Sequence, residues 1–291
     1  MSLWYVLAHQ PTLFVITVFL LGLLVGSFLN VVIHRLPRMM EANFRAECEF
    51  LNQPTDTIPI EDSTKPPYNL ITPRSCCPGC GSPIASYDNI PVLSWLLLKG
   101  KCRHCKTAIS VRYPLVELGT GLLSAGIAAY FGWGFIAAGT IVFIWFLVAL
   151  FWIDADTYLL PDDLTLPLLW LGLLFNLVGG LVSLSDALLG AVFGYLSLWS
   201  VYWLFKLVTG KEGMGYGDFK LLAAIGAWLG WQALPIVILL SSLVGAIIGI
   251  TLTLLASRGW SKPLPFGPYL VLAGVIALIW GNDLQHLLWA I

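Results

Sequence analysis

The sequence predicts an all-α polytopic membrane protein, and three observations carry that reading. The 291-residue chain is 58% hydrophobic and 11% charged, with a mean hydropathy of +0.84. A soluble domain cannot hide that much apolar surface, so the bilayer must solvate most of it. Apolar runs of helical length recur about eight times, over 11–33, 114–131, 135–153, 164–180, 185–205, 218–231, 233–256 and 266–281. The basic residues then segregate: ten of the 15 Lys and Arg lie between Arg35 and Arg112, and an eight-span arrangement puts Lys206, Lys211, Lys220, Arg258 and Lys262 on the same side. That side is the cytoplasm, which leaves both termini facing outward. Seven spans would break the segregation.

Residues 1–33 hold the first span. No Lys or Arg precedes it, and about 23 apolar residues are enough to cross, so it reads as a membrane helix rather than a cleaved signal. Gly26, Ser27 and Asn30 form a strip suited to close helix packing. His34 and Arg35 read as interfacial anchors.

Residues 34–113 form a soluble cytoplasmic insert. The polar stretch 41–73, with Pro54, Pro59, Pro66, Pro67 and Pro73, is expected to be extended linker. Two C-x-x-C pairs follow, Cys77-Pro-Gly-Cys80 and Cys102-Arg-His-Cys105. Each pair can turn two thiolates toward one point, and four sulfurs suit a closed tetrahedral zinc site. The competing reading is two disulfides, which a reducing compartment disfavours. A site closed by four thiolates has no open position, so this zinc is structural. Cys76 and His104 are possible substitute ligands, and Cys48 reads as a free thiol. No internal repeat and no low-complexity tract is apparent.

Residues 114–291 are expected to form a seven-helix bundle, and its acids need explaining. Carboxylates at a membrane edge are costly and usually have a task. "WIDADTYLLPDD" carries Asp154, Asp156, Asp162 and Asp163, and "GMGYGDFK" carries Asp218. Asp162 and Asp163 follow Pro161 and suit the cap and first turn of the next helix. Asp156 suits a solvated loop. Asp218 could be a plain N-cap. Asp154, in contrast, closes an apolar helix at the end where the dipole disfavours negative charge. The eight-span topology brings Asp154 and Asp218 to one face at one depth. Two acids with different environments are the arrangement that activates water and protonates a leaving amine. Gly213, Gly215 and Gly217 let backbone approach an extended substrate, or else form a simple flexible turn.

"GSFLNVVIHRLP" (26–37), the two cysteine pairs, "RYPLVE" (112–117), "DADTYLLPDD" (154–163), "GMGYGDFK" (213–220) and "PFGPYL" (265–270) occur in this order. In that set the chain resembles the type IV prepilin peptidases. The resemblance implies that Asp154 and Asp218 are the catalytic aspartates of a G-x-G-D protease of the bacterial inner (cytoplasmic) membrane. It further implies substrates that are prepilins and pseudopilins, cut after a glycine at the end of a short basic leader. The new amino terminus, usually phenylalanine, is then methylated with S-adenosylmethionine. Membrane lipid is the other expected partner and nucleic acid is not expected. A rival class is an ion-coupled transporter with paired acidic ligands, which requires acids near the midplane rather than the edge. A zinc docking module without chemistry would leave the Gly-rich aspartate loop unexplained.

Overall fold

Each of the eight apolar runs coincides with a helix. The computed structural model describes residues 3–51, 68–255 and 264–289. Among them are ten α-helices: α1 (Leu3–His9), α2 (Pro11–Leu51), α3 (Leu93–Leu97), α4 (Arg112–Phe131), α5 (Phe135–Thr157), α6 (Asp162–Leu177), α7 (Leu184–Thr209), α8 (Tyr216–Leu229), α9 (Leu234–Leu255) and α10 (Gly267–Trp289). Two short 3-10 helices, Ser86–Asn89 and Trp231–Ala233, and two isolated β-bridges accompany them among the described residues. Among the described residues, five segments are long and apolar enough to cross a bilayer: Pro11–Leu51, Arg112–Phe131, Phe135–Thr157, Leu184–Thr209 and Trp231–Thr251. Helices α6 and α8, at 16 and 14 residues, fall short of the roughly 20 that a perpendicular crossing needs. Eight crossings therefore do not follow from helix length.

The reason lies in what surrounds α8. Phe219 and every residue from Leu221 to Trp228 are buried, so protein rather than lipid covers this helix. Its apolarity on all sides is that of a core element. Helices α6, α7, α9 and α10 pack around it. Helix α7 comes within backbone contact of α8 because Gly190 faces Gly226 and Gly194 faces the Leu222 carbonyl; a Cβ at Gly190 would collide with the Gly226 carbonyl. The Trp228 ring stacks between Phe143 and Phe175, each with centroids 4.9 Å away, while its Nε1 donates to the Leu168 carbonyl at 2.8 Å. Buried Asn176 closes the far end of α8. Its Nδ2 donates to the Ala227 and Trp228 carbonyls, and its Oδ1 accepts from the Leu181 and Val182 N–H groups. Helix termini leave such carbonyls without intrahelical partners, and Asn176 supplies them.

The chain divides into two compact units, residues 1–130 and 131–291. In the first, Gly22 and Gly26 of α2 lie against Gly121 and Glu117 of α4, and Asn30 Nδ2 donates to the Tyr113 carbonyl at 3.1 Å. The small-residue strip is thus a packing seam, as its composition suggests. Two expectations need correction here. Helix α2 runs on to Leu51, so residues 41–51 are helix and not linker; a Glu41–Arg45 pair at i,i+4 supports the extension. Pro54, Pro59, Pro66, Pro67, Arg258 and Lys262 lie outside the described residues. Arg35 is buried rather than an interfacial anchor. It donates to the Asn69 carbonyl at 2.8 Å and the Pro73 carbonyl at 2.6 Å, and its guanidinium lies over the Tyr68 ring. It fastens the start of the cysteine-bearing segment to α2.

Glu117, also buried, accepts from the Val92 N–H at 2.7 Å. Val92 sits at φ 60°, a strained conformation for a β-branched residue. The carboxylate holds that strained residue, and with it the start of α3, against the second turn of α4.

Candidate active site and cysteine cluster

Asp154 lies one turn before the end of α5 and is 4% exposed; Asp218 lies in the first turn of α8 and is 7% exposed. The two carboxylates are within Coulombic reach of each other. Helix α10 packs on both α5 and α8, which explains how segments this far apart in sequence meet. Each carboxylate accepts one backbone N–H from a helix start. Gly215 N donates to Asp218 Oδ2 at 3.3 Å, and Gly267 N, at the head of α10, donates to Asp154 Oδ2 at 2.9 Å.

That second bond revises the contrast drawn from sequence. Asp154 does sit near the C-terminus of its own helix, but the N-terminus of α10 is aimed at it. Both acids therefore meet the favourable end of a helix dipole, and the two environments are not opposites. Asp218 is also not the N-cap. Gly215 holds that position, and Asp218 reaches back to the cap's N–H from the third helical residue.

The glycines of the loop differ in what they do. A Cβ on Gly217 would lie 2.7 Å from Leu160 Cβ, and one on Gly213 would lie 2.9 Å from the Phe205 ring. Both are packing positions. Around Gly215 nothing lies nearer than 3.9 Å. Lys220 Nζ donates to both oxygens of Asp162 at 2.7 Å, joining the start of α8's second turn to the first turn of α6. Asp162 and Asp163 both occupy the first turn of α6, as expected for first-turn acids, but neither is its cap: Pro161 holds the N-cap position, with no side-chain cap bond. Asp156 lies in the last turn of α5 and is exposed, so it is helical rather than in a loop. On the other side of the loop, Lys206 Nζ bonds Glu212 Oε1 at 2.9 Å and the buried Tyr202 hydroxyl at 3.2 Å, drawing the loop back onto α7.

Sequence reasoning missed Gly267, Lys220 and Glu117. A usable signal existed for the first, since a glycine between Pro265 and Pro268 marks a helix start.

The four cysteines converge. The Sγ atoms of Cys77, Cys80, Cys102 and Cys105 all lie within 4.8 Å of one another, with Cys77 and Cys105 at 3.6 Å. Four thiolates at about 2.3 Å from a tetrahedral metal stand about 3.8 Å apart, so this donor set fits zinc. No disulfide joins any of the six cysteines. Cys76 and His104 are exposed and outside the cluster.

The two pairs also repeat one local structure, which sequence inspection had not separated from background. Cys77 N bonds the Ser82 carbonyl and Cys102 N the Thr107 carbonyl, both at 2.9 Å. Gly81 and Lys106, each four residues after the first cysteine, both take positive φ, at 68° and 59°. The Cys80 and Cys105 sulfurs contact the Ser82 and Thr107 hydroxyls. Between the knuckles, Arg103 grips Asp88 through both carboxylate oxygens. Those hydrogen bonds hold the Asp88 carboxyl below its usual range.

A family model described as the bacterial peptidase A24 N-terminal domain matches residues 20–131, and one described as the type IV leader peptidase family matches residues 141–250. A prepilin leader peptidase/N-methyltransferase of Aeromonas hydrophila is 62% identical over 98% of this chain and 98% of its own length. The protein of that name from Pseudomonas aeruginosa is 58% identical over 96% of this chain and 95% of its own. One from Burkholderia pseudomallei is 50% identical over 92% and 86%. No solved structure matches the chain significantly. Two buried aspartates, one of them in a G-x-G-D loop, are thus found in a sequence whose relatives match it over nearly their whole length, and the chain belongs to the type IV leader peptidase family.

Proposed function

We propose that this protein is a membrane aspartic endopeptidase and N-methyltransferase that removes the short basic leader of type IV prepilins and pseudopilins after a glycine. It then methylates the exposed residue, usually phenylalanine, from S-adenosylmethionine. What supports the proposal is that Asp154 and Asp218 are both buried, within Coulombic reach of each other and each bonded by one backbone N–H, in a chain of this family. One carboxylate takes the proton of a water that attacks the scissile carbonyl. The other gives a proton to the departing amine. The two acids act as one unit, and neither role is fixed to either residue.

Placement supports the same reading. Both acids sit at helix ends, one turn from the close of α5 and in the first turn of α8. A prepilin can therefore keep its apolar helix in the bilayer while its charged leader stays in the cytoplasm and the bond between them meets the acids. An ion carrier would need its acids near the bilayer midplane. Purified protein incubated with a prepilin should release the leader and leave a methylated new terminus, both read by intact mass. An unprocessed prepilin would refute the assignment.

The Lys220–Asp162 pair we read as a register clamp between the two aspartate-bearing segments. Its side chains are 28% and 54% exposed, too open for it to matter much to stability. Lys220→Ala should lower kcat about tenfold at unchanged KM through misplacement of Asp218. Lys220→Arg should retain near-normal kcat, and an equally impaired Arg variant would exclude the clamp.

The cysteine cluster we read as a structural zinc site. With its donors closed, the metal supplies folding energy to the insert and no open coordination position. Cys77→Ser with Cys80→Ser should reduce bound zinc from about one per chain to none by elemental analysis. The segment between residues 68 and 113 should become protease-sensitive while α5–α10 resist. Methyl transfer should fail in this variant before leader removal does.

A further inference from the structure

We infer that α3 is a membrane-docking element, with its leucines seated at the boundary between headgroups and acyl chains and the adjoining lysines among anionic lipid headgroups. Leu93, Leu96 and Leu97 are 50, 58 and 74% exposed and, at i, i+3 and i+4, share one helix face. They cannot turn inward, because the opposite face is pinned. The Ser94 hydroxyl donates to the Tyr87 carbonyl and accepts from the Ile90 N–H, while Trp95 Nε1 donates to the Ile109 carbonyl at 3.1 Å. The Trp95 ring also fills the space beside Gly100, where a Cβ would lie 2.8 Å from it.

Those bonds also set the level of the patch. Ile109 is three residues before the start of α4, one of the helices long and apolar enough to cross the bilayer, and Val92 is held by Glu117 on that same helix. The leucine face is therefore fixed beside the first turns of α4, where the apolar span begins.

Charge selects the occupant. From residue 68 to 113 the basic residues are Arg74, Lys99, Lys101, Arg103, Lys106 and Arg112, against a single acid, Asp88, which Arg103 already holds. The segment stays net positive after four thiolates are set against a divalent cation. A basic leader peptide is repelled by such a surface. An anionic leaflet is attracted, and apolar residues beside lysines are the pattern of an interfacial element. The inference rests on the cytoplasmic placement of the insert that the distribution of basic residues predicts, and not on the peptidase chemistry.

The test uses the full-length protein in nanodiscs, with the photoreactive residue p-benzoylphenylalanine placed at Leu97, separately at Leu96, and at exposed Ser75 as control. Irradiation should give phospholipid adducts, seen as a mass increase, at both leucine positions but not at Ser75. The yield should rise at least about threefold when phosphatidylglycerol replaces phosphatidylcholine. Adducts at the Ser75 level, crosslinks to protein in place of lipid, or equal yields in the two lipids would overturn the proposal. Leader removal is measured on the same nanodiscs. Normal cleavage without lipid adducts would reject this inference alone, and lipid adducts without cleavage would reject only the peptidase reading.

Discussion

Asp154→Asn and Asp218→Asn should each stop leader removal, lowering single-turnover cleavage by at least about 10²- to 10⁴-fold, with the protein still folded. Asparagine has the shape of aspartate and keeps one acceptor oxygen, so the N–H groups of Gly267 and Gly215 retain a partner. What disappears is a group that can accept and return a proton. Stability should not suffer, because two neighbouring buried carboxylates repel and a neutral amide in place of one relieves that repulsion. The melting temperature of either variant should equal or exceed that of the parent. The double variant should be no slower than each single one, since the two acids act as a unit. Cleavage retained by both single variants would remove Asp154 and Asp218 from the mechanism.

The parts of this molecule that could be read from sequence are those that a local pattern determines. Apolar runs locate the membrane-sized helices because hydrocarbon thickness sets one length for all of them. Two C-x-x-C pairs announce a four-sulfur cluster that could hold a metal, because each folds its own knuckle from neighbouring residues. Asp154 and Asp218 could be singled out because an acid beside an apolar helix is costly without a task, and both are buried. Hydropathy, however, counts apolar side chains without saying what covers them. Helix α8 is as apolar as its neighbours but is wrapped in protein, and so it is shorter than a crossing requires. The charged continuation of α2 past residue 40 looked like linker because a polar helix outside the bilayer carries no apolar stripe.

Contacts made over long sequence separations left no local trace at all. Arg35 reaches Asn69 and Pro73, Glu117 reaches Val92, and the start of α10 reaches Asp154 across 113 positions. The last of these changes the chemistry that the sequence suggested, because it gives Asp154 a helix N-terminus that its own helix does not supply.

That contact leads to the sharpest expected effect of a change outside the two acids. Gly267→Ala should lower kcat about 100-fold while leaving KM within about twofold, because about an ångström of misplacement is enough for such a loss. A Cβ at position 267 would stand 2.6 Å from Asp154 Oδ2, 3.1 Å from its Cγ and 3.3 Å from its Cβ. All three atoms belong to one side chain, so the clash is relieved by turning the carboxyl away from its partner. The backbone itself does not object, since Gly267 is not among the residues at positive φ. Two other glycines make the comparison discriminating. Gly226→Ala pushes a methyl into the Gly190 backbone, which cannot yield, so it should lower the melting temperature and the amount of folded protein. Gly215→Ala meets nothing nearer than 3.9 Å at an ordinary φ of −85°, so the free protein accommodates it. If backbone at Gly215 lies against the bound prepilin, that variant should raise KM while kcat holds. A Gly267→Ala enzyme that cleaves at the parental rate would show that the head of α10 does not orient Asp154 for catalysis.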